Sequence, residues 1–207
     1  MFAQGLKQLI AEDERLFLCG VSHDARSALH ELGRTPTDVL IVDISLTNSS
    51  GLEVVKTVKL DFPQMRSLVI SMHDEALYGE RALRAGASGY VMKQASGTMM
   101  LEAIRSVAQG KLWISEALAA RMLRTVVHGS RESEGDGSPL HVLSDRELEI
   151  FQLMGNGRGT REISQSLHIS VKTVESHRLN IKQKLNLKTS LDLVRHAMQW
   201  TQEVNRS

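Results

Sequence analysis

Between Arg158 and Lys188 the chain carries seven Lys or Arg against two Asp or Glu, a net charge of +5. Cations at that density can neutralise the phosphates of a nucleic acid. A solvated helix face gives the same count, so spacing has to decide. Lys172, Glu175, Ser176 and Leu179 recur at three- and four-residue intervals, which sets them on one exposed helix face. Ile163, Leu167, Ile169, Val174, Ile181 and Leu185 are then free to form a small three-helix core. The charge of the whole chain, +1, hides this polarity. Residues 139–207 sum to +3 and residues 1–138 to −2, so near-neutrality excludes no nucleic-acid binder.

The elements that must position those residues are legible. Ser144-Asp-Arg-Glu147 is a capping box and opens a helix to about Met154. Gly155-Asn-Gly-Arg-Gly159 breaks it. A second helix starts at Gly159 or Thr160 and runs to Leu167. A tight turn, His168-Ile-Ser170, offers Ser170 as N-cap of a third helix over 171–185, and a fourth starts at Ser190 and covers 191 to about 203. Four short helices in this order contain a helix-turn-helix. Residues 160–185 closely resemble the LuxR-type helix-turn-helix, residues 143–150 resemble its first helix, and the likeness spans about 140–200. The resemblance implies a recognition helix in the major groove of double-stranded DNA. Lys172, Glu175, Ser176 and Leu179 are then the candidates for base edges, with Lys172 reaching guanine O6/N7 and Glu175 accepting from cytosine N4. Thr160, Thr173, His177, Arg178 and Lys182 become groups that position the DNA backbone. Each has a plainer alternative: Thr173 can cap its helix, Glu175 can pair with Lys172 or Arg178, and His177 can pack on the preceding helix. In such tails the last helix, with Leu191, Val194 and Met198, is where two chains meet.

Ahead of that tail, short runs rich in Val, Ile and Leu at 16–21, 39–44, 68–72 and 89–92 read as strands buried on both faces of a parallel sheet. They alternate with helical stretches at 25–32, 52–60, 75–85 and 99–109, after a first helix over 4–11. This alternation predicts a layered α/β fold with right-handed crossovers. Residues 128–139 hold Gly, Ser, Asp and Pro with no apolar residue between Val127 and Leu140, the composition of a flexible linker. An amphipathic stretch at 118–127 precedes it. The expected domains are 1–114, a linker helix and linker over 115–139, and 140–207.

Asp43 ends the second of those runs, Gly51-Leu52 follows, Ser71 ends the third, and Ala85-Gly-Ala-Ser-Gly-Tyr-Val-Met-Lys93 closes the series. In that order they resemble a response-regulator receiver of the NarL/FixJ arrangement, a flavodoxin-like fold. The resemblance makes Asp43 the phospho-acceptor, Ser71 and Tyr90 the switch residues and Lys93 the phosphate-pairing lysine. A carboxylate that attacks a phosphoryl donor gives an aspartyl phosphate, with Lys93 neutralising phosphoryl oxygens and Ser71 hydrogen-bonding one. The family also places an acidic pair after its first strand to hold Mg2+. Here that strand and pair would lie before Met1, because residues 2–10 already match the first helix, and Glu12, Asp13 and Glu14 come at its far end. Without Mg2+ the reaction loses its main charge stabiliser, so weak or absent phosphorylation of Asp43 is expected. Asp43 is the only remaining candidate ligand, and no cofactor is expected unless an upstream acidic pair exists. The missing strand is central in the order 2-1-3-4-5. Either run 16–21 moves beside 39–44, or another chain supplies the edge, or the polypeptide is longer and Met1 is internal.

Other classes are set aside on composition. The single cysteine, Cys19, excludes an internal disulfide and a Cys-based zinc site, and its apolar run suggests core filler. No apolar run reaches the roughly 18 residues of a membrane span, and no signal peptide opens the chain, so a cytoplasmic protein without membrane partners is expected. No metal cluster, nucleophile–base pair or phosphate-cradling glycine loop suggests an enzyme. The sequence therefore predicts an α/β, flavodoxin-like receiver with an incomplete parallel sheet, followed by a small all-α helix-turn-helix domain. Its leading function is a transcription regulator that binds duplex DNA as a homodimer, with a sensor histidine kinase as the upstream partner the resemblance implies. The rival is an interaction protein that sequesters intact response regulators or forms heterodimers with them.

Overall fold

In the computed structural model, which describes residues 2–46, 49–128 and 139–204, the amphipathic start of the chain forms α1 (Phe2–Ala11). Helix α2 (Ala25–Leu32) follows, capped by Asp24, whose carboxylate accepts from Ser27 N. Then come β1 (Val39–Asp43), β2 (Ser45–Leu46), β3 (Ser49–Ser50), α3 (Gly51–Asp61), β4 (Arg66–Ser71), α4 (Glu75–Ala85), β5 (Gly89–Met92), α5 (Gly97–Ala108) and α6 (Glu116–His128). Strands β1, β4 and β5 pair in parallel in that order, with Asp43 opposite Ile70 and Ser71 opposite Met92. Leu68, Val69 and Ile70 of the middle strand are fully buried, because helices cover both faces. One face packs Ile10, Met100, Ala103, Ile104 and Val107 from α1 and α5. Trp113 lengthens the β5 edge: its carbonyl accepts from Tyr90 N at 2.9 Å and its N–H donates to Ser88 O at 3.0 Å.

The hairpin β2–β3 is a feature the sequence did not announce. It folds back so tightly that a Cβ on Gly51 would lie 1.9 Å from the carbonyl oxygen of Asp43. Only glycine lets α3 begin against the end of β1.

Two expectations are corrected here. Residues 16–21 are not a strand, and Cys19 is exposed instead of filling a core. Phe17 is 88% exposed. A strand exists only as a partner in a ladder, and among the described residues none borders the outer edge of β1. The run therefore stands off from β1 across a cavity of about 800 Å3. The expected alternative in which 16–21 moves beside β1 and pairs with it is not what the structure shows.

The chain folds as two compact units, Met1–His128 and Gly129–Ser207. The expected flexible linker falls mostly on 129–138, outside the described residues. In the second unit a 3-10 turn over Pro139–Val142 leads into α7 (Asp145–Gly155), α8 (Thr160–Ser166), α9 (Val171–Lys184) and α10 (Ser190–Val204). The expected capping box at Ser144 forms, Glu147 Oε2 accepting from Ser144 N at 2.8 Å. Leu148, Phe151, Ile163, Val174, Ile181 and Leu193 are fully buried, and Trp200 sits edge-on to Phe151 at 5.9 Å. Helices α7 and α10 touch backbone to backbone at Gly155, where a Cβ would lie 2.6 Å from Ala197 O. Among the described residues no helix is long and apolar enough to cross a membrane.

Candidate nucleic-acid interface and receiver site

Helix α9 presents the stripe its spacing demanded. Lys172, Glu175, Ser176 and Leu179 are all exposed, Leu179 by half. Its start is locked by Ser170, whose hydroxyl accepts from Thr173 N at 3.0 Å and lies 2.8 Å from Thr173 Oγ1, so Thr173 is engaged in the cap. Ser176 Oγ donates back to Lys172 O at 3.0 Å. Glu175 pairs with neither Lys172 nor Arg178; Arg178 instead donates to Thr160 Oγ1, tying the start of α8 to α9. Lys182 is half-buried on the same helix. His177 turns inward: its Nδ1 is buried with no partner among the described residues, and burial lowers its pKa, so the ring is held neutral.

A charged cluster that sequence reasoning missed braces this helix. Lys184 donates to Glu147 Oε2 at 2.6 Å, and Arg146 bridges Glu149 Oε2 at 2.7 Å and Leu167 O at 3.2 Å. Glu147 and Glu149 are buried. Burial pushes the Glu147 carboxyl up, but the hydrogen bonds from Lys184 and Ser144 win and hold it below its ordinary value. The signal available was the acidic repeat Asp145-Arg-Glu-Leu-Glu149, which reads equally well as a solvated helix start.

In the first unit the four receiver residues meet at the carboxyl end of the sheet. One Asp43 oxygen accepts from Ser45 N at 3.3 Å and the other is paired with Lys93 Nζ. Lys93 N donates to Ser71 O at 2.8 Å, which sets its side chain beside β1, and its ammonium also lies 5.2 Å from the centre of the Phe2 ring. Ser71 and Tyr90 are buried, and both are anchored on His73: Ser71 Oγ accepts from His73 N at 3.1 Å, and the Tyr90 hydroxyl donates to His73 O at 2.6 Å. Burial raises the Tyr90 phenol above its ordinary range, so it stays a donor. The His73 ring stacks on Tyr78 at 4.6 Å and its Nε2 lies 3.1 Å from Ser45 Oγ. His73 thus joins the loop after β1 to the loop after β4, a role its sequence did not signal because its backbone does half the work.

These residues do not fit Mg2+. Asp43 is the one carboxylate in the set, and one of its oxygens is committed to an ammonium. Among the described residues no three His, Cys, Asp or Glu converge on a metal position.

Residues 1–105 match the response regulator receiver domain family, and residues 141–197 match the luxR family of bacterial regulatory proteins. The chain belongs to the response regulators. It is 32% identical over 196 residues to the oxygen regulatory protein NreC of Staphylococcus carnosus, covering 94% of this chain and 90% of that protein. It is 31% identical over 198 residues to the transcriptional regulatory protein DegU of Brevibacillus brevis, covering 90% and 84%. Among solved structures it resembles RcsB from Salmonella enterica serovar Typhimurium, determined on the rprA promoter with a phosphomimetic, at a TM-score of 0.58 and 23% identity over 94% of this chain and 92% of that one. That likeness is one of fold. As a response regulator ending in a luxR-type helix-turn-helix, the chain is a transcription regulator of that type.

Proposed function

We propose that this response regulator binds duplex DNA as a homodimer in the cytoplasm and controls transcription with little or no Mg2+-dependent phosphorylation of Asp43. The observation that carries the DNA half is the exposed stripe of Lys172, Glu175 and Leu179 on a helix whose start is fixed by Ser170 and whose inner face is buried. Lys172 and Glu175 read base edges, while Arg178 holds Thr160 toward the backbone. His177 acts through packing and not through phosphate. The working domains are 1–114, 115–139 and 140–207, with α10 joining the two tails through Leu191 and Met198, both exposed. The Asp43–Lys93 pair carries the other half: the acceptor carboxylate is neutralised within the chain, and among the described residues no donor set for the metal surrounds it. No sensor kinase is needed for this reading.

Two measurements test it. Lys172→Ala should lower affinity for the operator roughly 10-fold or more by fluorescence anisotropy and relax the preference at one base pair. Unchanged binding would remove α9 from the interface. Acetyl phosphate with Mg2+ should label the chain slowly or not at all. Stoichiometric labelling lost in Asp43→Asn would overturn the unphosphorylated mode.

A further inference from the structure

Helix α6 packs on α4, and two contacts set it there. Leu118 enters a notch that Gly79 leaves on α4: a Cβ on that glycine would lie 2.5 Å from Leu118 Cδ2 and 2.8 Å from Glu75 Cγ. One turn earlier on α4, Glu75 Oε1 accepts from Ser115 N at 3.0 Å. The Ser115 hydroxyl in turn accepts from Leu118 N at 3.1 Å, which starts α6 against the first turn of α4. Between residues 115 and 124 Leu118 alone is buried, and Leu123 is 64% exposed.

The same stretch of α4 carries the receiver site on its other side. Tyr78, fully buried beside Gly79, takes the His73 ring against its own at 4.6 Å. His73 directly precedes Asp74, the N-cap of α4. The ring's Nε2 lies 3.1 Å from Ser45 Oγ, and Ser45 N donates to Asp43 at 3.3 Å. Residues 73–79 thus hold the site on one side and α6 on the other. A packed helix start moves as a body, so it cannot shift toward the site without drawing Glu75 and the notch from under α6.

We propose that α6 is a releasable strap, docked on α4 by Leu118 and Ser115 and gated by the ring of His73. Docked, α6 belongs to the first unit, and residues 129–138 alone connect it to the second. Released, residues 116–128 pass to the connection and more than double its length. One buried leucine and one hydrogen bond make a contact that opens while the sheet stays folded. A change at Asp43 reaches the strap through Ser45 and the ring. The coupling requires neither a metal at Asp43 nor DNA.

Hydrogen exchange read by mass spectrometry on the full chain, without DNA, tests the strap. Amides 119–124 should be protected in the wild type. Gly79→Leu fills the notch with a good helix former and should speed their exchange roughly 10-fold or more, with residues 66–71 of β4 unchanged. His73→Ala should do the same from the far side of α4, whereas His73→Phe, which keeps the stack on Tyr78, should retain the protection. Asp43→Ala should speed exchange in the wild type but not together with His73→Phe, which has no bond to Ser45. If His73→Ala also frees 66–71, Asp43→Ala decides the gate in its place. Rapid exchange at 119–124 in the wild type overturns the proposal. So does full protection in Gly79→Leu, or protection unchanged in both His73→Ala and Asp43→Ala.

Discussion

His177 on the inner face of α9 and Glu147 on α7 beneath that helix titrate in different windows with the same sign. The folded His177 ring has a pKa below the ordinary 6.5, so the unfolded chain takes up its proton first. Its contribution to stability is complete above about 6.5 and is lost as pH falls through the lower folded value. The second unit should therefore melt at a lower temperature at pH 5.5 than at pH 7.5, and His177→Gln should flatten that difference; calorimetry on the two proteins checks it. Glu147 is likewise held below its ordinary 4.5, so its contribution is present above that value and is lost only in stronger acid. Glu147→Ala removes both the capping box and the partner of Lys184, and should cost the unit about 2–4 kcal/mol by chemical denaturation. Lys184 becomes a single exposed cation again, whereas Ser144 N is left bare at a helix start.

At the scale of elements, the close approaches are the sensitive points. Gly155→Ala drives a methyl toward Thr201 Oγ1 at 2.0 Å and Ala197 O at 2.6 Å, and should destabilise the helical unit by about 1–3 kcal/mol. Adding Thr201→Ala relieves the hydroxyl but not the carbonyl, so only part of the loss should return. The same physics sorts what the sequence disclosed. Helices 25–32 and 75–85 were readable to the residue because Asp24 and Asp74 cap them with their own side chains, at Ser27 N and Ala76 N. The middle strands were readable because burial on both faces demands an unbroken apolar run. Residues 16–21 satisfy the same composition and fail, since composition does not say whether a partner strand stands alongside. Asp43, Ser71, Tyr90 and Lys93, singled out by order and type, do come together at the carboxyl end of the sheet. His73 was missed because Ser71 and Tyr90 hold its peptide groups, which every residue possesses.

For the whole molecule the charge is unevenly spread: residues 1–128 are neutral, residues 129–138 carry −2 and residues 139–207 carry +3, with +5 concentrated on the helix-turn-helix. Binding to DNA should weaken steeply with salt, and Lys182→Ala should reduce the slope of log K against log salt by about 1 without changing base preference. A slope unchanged in that variant would take Lys182 off the phosphate backbone. The first unit, Met1–His128, has no net charge and should add nothing to that slope.

The chain holds two tryptophans, and each unit has one: Trp113 against the edge of β5, Trp200 against Phe151. Intrinsic emission is therefore a two-channel optical record built into the protein. Trp200→Phe leaves a signal that reports the sheet alone, and Trp113→Phe one that reports the helical tail, so operator binding and changes in the receiver can be watched separately without attaching a dye.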